Sequence, residues 1–174
     1  ELAIEIFNQI DPSLKVNVLI PDGTAVKYGE IALTVEGATH AILLAERLVL
    51  NCMQRMSGIA TKTNRIVQLL KPFKTQVLDT RKTTPGLRYL EKWAVKIGGG
   101  VNHRIGLYDM ILIKDNHVDY AGGIANAIIA ANTYLKEKNK NLAIEIEVRN
   151  MEELKQVLAQ GNVNRIMLDN FELP

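Results

Sequence analysis

One cysteine, Cys52, is the whole thiol complement of the chain, so no disulfide can form within it and the multi-thiolate sites of structural zinc are excluded. A reducing compartment, the cytoplasm, is the expected location. Neither sign of charge dominates. Lys and Arg number 21 against 19 Asp and Glu, and no run of like charges occurs, so neither nucleic acid nor an anionic membrane surface is an expected partner. No apolar stretch reaches the length of a membrane span, and no basic-then-apolar leader opens the chain. An opening at Glu1 rather than Met is what trimming of a longer chain leaves.

What the sequence does contain is an ordinary globular balance, 47% hydrophobic and 23% charged over 174 residues, enough to bury one sizeable core. "VNVLI" and "IALTV" flank the turn chemistry of "PDGTAVKYGE", as in a small antiparallel element. From Thr39 apolar residues recur at helical spacing, with Gly58 the expected break between two helices and Pro72 the end of the second. The chain then alternates: strand "TQVLD", helix "PGLRYLEKWAVKI", strand "MILIK", helix "GGIANAIIAANTYLKEK", strand "LAIEIEV", helix "MEELKQVLAQ" and strand "RIMLD". Thr84 is the expected cap of the first of these helices, with Pro85 at its first position and Gly98 just past its end. Asn150 and Glu153 suggest a capping box on the last, which should stop at Gly161. Repeating βα units imply parallel strands with helices outside, in an open sheet or a barrel, and four strands do not close a barrel.

Side chains alternate along a strand, so Leu142, Ile144, Ile146 and Val148 share one face and Glu145 and Glu147 the other. The same rule turns Ile166 and Leu168 toward the helices and Asp169 away from them. Carboxylates in an apolar core are costly, so acids near strand ends read either as site groups at the open end of the sheet or as structural partners of a core Arg or Lys. All four strands deliver a charge at their exits: Asp79, Lys114, Glu147 and Asp169. Arg81, Lys82, His103, Arg104 and Lys114 would suit a substrate with more than one anionic group, with Arg forks matching carboxylates or phosphates. Glu147 and Asp169 beside such cations suggest a Mg²⁺ shared with a phosphate-bearing substrate. Gly98, Gly99 and Gly100 either cradle a phosphate or let the chain turn after a helix.

"DTRKTTPGLRYLEKWAVKIGGGVNHRIGLYDMILIKDNH", preceded by "AERLVLNCMQRMSGIAT" and followed by "IEIEV" and "IMLDNF", resembles the quinolinate phosphoribosyltransferase family, also called nicotinate-nucleotide pyrophosphorylases. The likeness runs from about Pro21 to Phe171. It implies an α/β fold: an incomplete, TIM-like βα barrel of parallel strands with outer helices (57–174), preceded by part of a small α+β N-terminal domain (1–56). It also implies decarboxylating transfer of the ribosyl phosphate of phosphoribosyl pyrophosphate to the nitrogen of quinolinate, giving nicotinate mononucleotide.

By matching motif, Thr80, Arg81, His103, Arg104 and Lys114 resemble the family's quinolinate pocket. Lys82, Glu147 and Asp169 resemble the residues that hold phosphoribosyl pyrophosphate and act in catalysis, with Glu147 and Asp169 on the side of Mg²⁺ and Glu145 competing with Glu147. Arg47 resembles an arginine donated to a neighbour's site, which implies at least a homodimer. The family's chain is longer at both ends, so the closing barrel strands and their Ser/Gly-rich phosphate stretches are expected beyond Pro174. The acidic loop before a Thr-Gly-Gly-Thr run, usual in other phosphoribosyltransferases, is absent. The rival readings are a phosphoribosyltransferase for nicotinate or another base, a lipoyl- or biotinyl-type carrier module suggested by "PDGTAVKYGEIALTVEG", and a non-catalytic interaction protein on the same scaffold.

Overall fold

The computed structural model describes residues 1–172. Two compact units divide the chain between His103 and Arg104.

The first unit opens with helix α1 (Leu2–Ile10), an element additional to those expected from sequence. Strands β1 (Lys15–Val18) and β2 (Leu33–Glu36) then pair antiparallel, from Lys15 opposite Glu36 to Val18 opposite Leu33. Helix α2 (Thr39–Leu70) follows as one uninterrupted element of 32 residues, about 48 Å long at the usual rise. The expected break at Gly58 does not occur. An isolated glycine costs a helix only about 1 kcal/mol relative to Ala, and Ala41, Ala45, Val49, Met56 and Thr63 keep one continuous buried stripe on either side of it. Ala41, Ala45 and Val49 pack with Ala3, Phe7 and Leu14 to form this unit's apolar core.

Helix α3 (Arg88–Ile97) starts three residues later than the sequence suggested, and Thr84 does not cap it. Thr84, Pro85, Gly86 and Leu87 instead form a turn closed by the Leu87 N–H donating to the Thr84 carbonyl at 3.0 Å, with Gly86 at φ +78°. Pro at the second and Gly at the third position of a turn favour type II geometry, and that preference overrides a helix start. At the other end Gly98 caps as expected. A Cβ on Gly98 would lie 2.5 Å from the Ala60 carbonyl oxygen, and one on Gly100 2.8 Å from a Val95 methyl. The triple glycine is therefore a turn and a close approach of α3 to α2, as the second of its two readings had it. "TQVLD" does not form a full strand: it makes one parallel bridge, Leu78 with Val101, built on Val101 N–H to Val77 O (2.8 Å) and Asp79 N–H to Val101 O (3.2 Å). The residues after Val101 leave that ladder because their polar groups turn to the Asp79 carboxylate.

The second unit holds β3 (Ile111–Ile113), α4 (Asp115–Ala121), α5 (Ile124–Glu137), β4 (Ile144–Val148), α6 (Met151–Gln160) and β5 (Arg165–Leu168). The strands form a parallel sheet in the order β3-β4-β5. Alternation along β4 works as expected: Ile144, Ile146 and Val148 join Ile113, Val118, Ile124, Ile128 and Val157 in the core. Ile166 packs against that core from β5. The short α4 was not expected. At the start of α6 the Asn150 side chain accepts from the Glu153 N–H at 2.9 Å, while the Glu153 carboxylate accepts from the Arg149 N–H at 2.8 Å. The reciprocal half of the capping box is thus shifted one residue outward, because the Arg149 guanidinium holds the same carboxylate. The architecture is α/β, a partial βα barrel with three paired strands, preceded by a small mixed α and β portion.

Candidate functional site

Each unit carries part of the predicted residue set. In the first, Asp79 leaves the bridged segment with its side chain only 7% exposed and ion-pairs with Lys92 of α3, itself 3% exposed. The same Asp79 Oδ1 accepts from the His103 N–H at 2.8 Å, and Lys92 Nζ donates to the His103 carbonyl at 3.0 Å. With its amide turned so that nitrogen faces the acceptors, Asn102 donates to Asp79 Oδ2 and to the Lys92 carbonyl, both at 2.8 Å. Burial of charge on this scale demands paired and hydrogen-bonded partners, and Asp79 has them on both oxygens.

Directly after Asp79 comes the predicted cationic loop. The Thr80 hydroxyl accepts from the Lys82 N–H at 3.0 Å, which turns the loop so that Thr80 and Lys82 are exposed while Arg81 is half-buried. Arg81 Nε is buried and makes no hydrogen bond among the described residues. Arg88, from the first turn of α3, donates to the Arg81 carbonyl at 3.4 Å and to the Thr83 hydroxyl at 3.3 Å. Glu91 accepts from the Thr84 N–H at 3.2 Å and pairs with Arg55 of α2, which also donates to the Thr84 hydroxyl. Burial pushes the Glu91 carboxyl up, but the Arg55 and Thr84 hydrogen bonds outweigh it and hold the group below the ordinary glutamate value. Arg47 is exposed on α2, beside the exposed Leu43, Leu44 and Leu48.

In the second unit Arg104 is half-buried and donates to the Met110 carbonyl at 3.3 Å. The loop behind it is closed by Asp109, which accepts from the N–H groups of Ile105 and Gly106, both at 2.8 Å. Lys114 stands at the exit of β3, where His117 Nδ1 accepts its backbone N–H at 3.0 Å and so orders the turn into α4. Its Nζ lies 3.5 Å from Glu147 Oε1 on the neighbouring strand. Glu145, one pleat earlier, is 1% exposed and takes a hydrogen bond at 3.2 Å from Arg165, its partner in register on β5. The structural reading of a buried strand acid thus applies to Glu145, while Glu147 stays partly accessible. Asp169 follows β5, is exposed, and accepts from the Asn170 side chain at 3.2 Å.

Thr80, Arg81, Lys82 and His103 are therefore drawn to one loop region of the first unit, with Arg47 on α2. Lys114, Glu147 and Asp169 share the carboxyl end of the parallel sheet in the second, with Arg104 at its start. Sequence reasoning missed Lys92, Asn102, Arg88 and His117 as the groups that hold these side chains' backbones. The signal for Lys92 was Asp79, since an acid at the end of an apolar segment needs a buried cation. Among the described residues no cluster of three or more His, Cys, Asp or Glu could hold a metal alone. Two hard carboxylate donors, Glu147 and Asp169, at adjacent strand ends nevertheless suit Mg²⁺, which takes few protein ligands and completes its shell with water and substrate oxygens.

Fold and site define a class: a βα protein that sets charged side chains at the carboxyl ends of parallel strands, where such folds assemble binding sites. Family models specify it further. Quinolinate phosphoribosyl transferase, N-terminal domain, matches residues 1–57, and quinolinate phosphoribosyl transferase, C-terminal domain, matches residues 59–174. The chain belongs to the quinolinate phosphoribosyl transferase family. The stretch likened to carrier modules lies within the N-terminal match.

Over 99% of its length the chain is 50% identical to a chloroplastic nicotinate-nucleotide pyrophosphorylase (carboxylating) of Arabidopsis thaliana, and 47% identical to a mitochondrial quinolinate phosphoribosyltransferase (decarboxylating) of Nicotiana tabacum. It covers 51% and 50% of those proteins. The solved nicotinate-nucleotide pyrophosphorylase of Francisella tularensis superposes with a TM-score of 0.89 at 44% identity, over 98% of this chain and 59% of that one. The chain thus spans about half the length of the curated relatives it matches. No helix among the described residues is long and apolar enough to cross a membrane.

Proposed function

We propose that the chain carries the base-binding and phosphate-side elements of a quinolinate phosphoribosyltransferase. The reaction joins the quinolinate nitrogen to the anomeric carbon of phosphoribosyl pyrophosphate and releases pyrophosphate and CO₂, leaving nicotinate mononucleotide. The observation that carries this reading is the pairing of Lys114 with Glu147 at 3.5 Å across the exits of two parallel strands, in a chain whose relatives bear this activity in their names.

Arg81, His103, Arg104 and Lys114, with Thr80, are assigned to the two carboxylates of quinolinate. The buried Nε of Arg81, with no hydrogen-bond partner among the described residues, supports this, because a guanidinium donor left without an acceptor is costly unless a ligand completes it. Lys82, Glu147 and Asp169 are assigned to phosphoribosyl pyrophosphate. Glu147 rather than Glu145 is the metal-side acid on this reading, since Glu145 is already held by Arg165. Mg²⁺, bound through Glu147 and Asp169, would supply charge neutralisation of the departing pyrophosphate. Lys82 adds a cation toward the same phosphates. The pyridine nitrogen attacks as the anomeric carbon loses its leaving group. Once ribosylated, the cationic ring nitrogen stabilises the electron pair left on the adjacent carbon when its carboxylate departs as CO₂, and that carbon then takes up a proton from water, so the protein's task is to orient the ring by its carboxylates.

The domain division at 56/57 belongs to this proposal and falls inside α2. The exposed Leu44 and Leu48 beside Arg47 support a homodimer in which Arg47 reaches the neighbour's site. The single free Cys52 supports a reducing compartment, the cytoplasm in the first instance. Titration calorimetry with quinolinate and with nicotinate tests the reading: quinolinate should bind and nicotinate should bind at least about tenfold more weakly, for want of its second carboxylate. Arg104→Ala should remove most of the quinolinate affinity. Unchanged binding in that variant would withdraw Arg104 from the pocket.

A further inference from the structure

We propose that Asp79 and Lys92 are positioning residues, a buried ion pair that fixes the His103 backbone and the Thr80–Lys82 loop for the carboxylates of a pyridine diacid. The inference rests on the reading of His103 and Arg81 as quinolinate ligands. Its physical basis is where the pair directs its hydrogen-bonding capacity. Asp79 Oδ1 takes the His103 N–H at 2.8 Å, Lys92 Nζ gives to the His103 carbonyl at 3.0 Å, and Asn102 occupies Asp79 Oδ2 at 2.8 Å. Both polar backbone groups of His103 are therefore held by one ion pair, whose lysine and aspartate side chains are 3% and 7% exposed.

A pair serving stability alone would be poorly chosen, because well-packed apolar residues in the same place are often as stabilising or more so. A pair serving geometry must point at what it positions. This one does, on both sides: it grips His103 from one direction and opens directly into Thr80 and Arg81 on the other. Arg88 adds a second grip on the loop through the Arg81 carbonyl. Ligand-binding groups lose much of their value when displaced by a fraction of an ångström, which is why such supports are built from buried hydrogen bonds.

The test uses the 174-residue chain. Lys92→Met alone strands a buried carboxylate, so the informative variant is the neutralised pair, Asp79→Asn with Lys92→Met. In it the amide oxygen introduced at position 79 still accepts from the His103 N–H, but the lysine that donates to the His103 carbonyl is gone. Quinolinate affinity is measured by calorimetry, folding by circular dichroism, and amide hydrogen exchange by NMR at His103, with Ala94 and Val49 as core references. The expected result is a folded protein with core protection retained, His103 exchange accelerated, and quinolinate bound at least about tenfold more weakly. Lys92→Arg, which keeps the charge but not the fit, should retain the fold and weaken binding by a smaller factor. A neutralised pair that folds and binds quinolinate like the parent overturns the positioning role while leaving the proposed function standing. One that fails to fold assigns the pair to stability and overturns it equally. A parent chain that binds no quinolinate removes the functional reading first, and this inference with it.

Discussion

In the unit that ends at His103, the acid leaving the first extended segment is sealed in: Asp79 meets a lysine, a backbone N–H and an amide, and little of it reaches solvent. In the unit that begins at Arg104, the acid near the end of β4 meets one lysine at 3.5 Å, and that lysine is 45% exposed. Both acids sit at the carboxyl ends of extended segments and both pair with lysine. The difference is solvent. A charge buried with hydrogen-bond partners on both oxygens belongs to the scaffold, whereas a charge left partly open to solvent beside a cation is available to a ligand. Position along a strand therefore marks where a site can be, and burial decides which of the charges there are free to work.

The sharpest way to break this comparison is to remove each lysine in turn. Lys92→Met leaves Asp79 as an uncompensated buried charge and should cost about 3–5 kcal/mol of stability. Lys114→Met removes one side of a half-exposed pair and should cost about 1 kcal/mol or less, with its effect felt in ligand binding instead. Urea denaturation of the two variants beside the parent measures both. Equal losses would erase the distinction between scaffold and working charges.

Next in size is the close approach that brings α3 against α2. Gly98→Ala places a methyl 2.5 Å from the Ala60 carbonyl oxygen and 2.8 Å from Thr63 Cβ, so backbone must move. The expected loss is about 1–3 kcal/mol. A phosphate-cradling role for this glycine would instead predict a loss of ligand binding at unchanged stability, and the same denaturation curve separates the two.

A smaller effect, dependent on pH, tests whether a pair that ties α2 to the cationic loop acts through its charge. Glu91 has a folded pKa below its unfolded value, because the upward push of burial is outweighed by the Arg55 and Thr84 hydrogen bonds. The unfolded state therefore binds the proton more readily. The stabilisation is complete above the unfolded carboxylate value of about 4.3 and is lost as the pH falls through the lower folded value. Glu91→Gln should thus cost on the order of 1 kcal/mol at pH 7, and the gap between variant and parent should close as the solution is acidified through the lowered folded value. A gap that persists unchanged in acid would mean that the carboxylate contributes shape and not charge.

What was legible in the sequence follows the range of the forces involved. The alternation of β4, the antiparallel pair around "PDGTAVKYGE" and both ends of α6 depend on neighbours a few residues apart, and they stand where the pattern put them. Charges at the exits of β3, β4 and β5 were visible for the same reason, since parity and strand ends are local. "TQVLD" has strand composition, yet its ladder stops at one bridge because the residues after Val101 turn to Asp79. Lys92 lies on an ordinary amphipathic helix. Only its partner thirteen residues earlier makes it a buried charge, and no local pattern reports that. Thr84 and Pro85 satisfied a helix-start pattern and a turn pattern at once, and Gly86 decided for the turn.

Gly58 gives the smallest effect and the cleanest opposite sign. The residue lies mid-helix, it is exposed, and a Cβ built on it meets nothing within 4 Å. It therefore serves neither a turn nor a close approach, unlike Gly98 forty residues later. Adding a methyl there removes backbone freedom from the unfolded chain and introduces no contact in the folded one, so Gly58→Ala should stabilise by about 0.4–1 kcal/mol. Thermal and urea denaturation should both shift upward. If the substitution destabilises instead, the helix is not continuous through this point, and the paired comparison of Gly58 with Gly98 reverses: the break read from sequence would then be a working joint in α2.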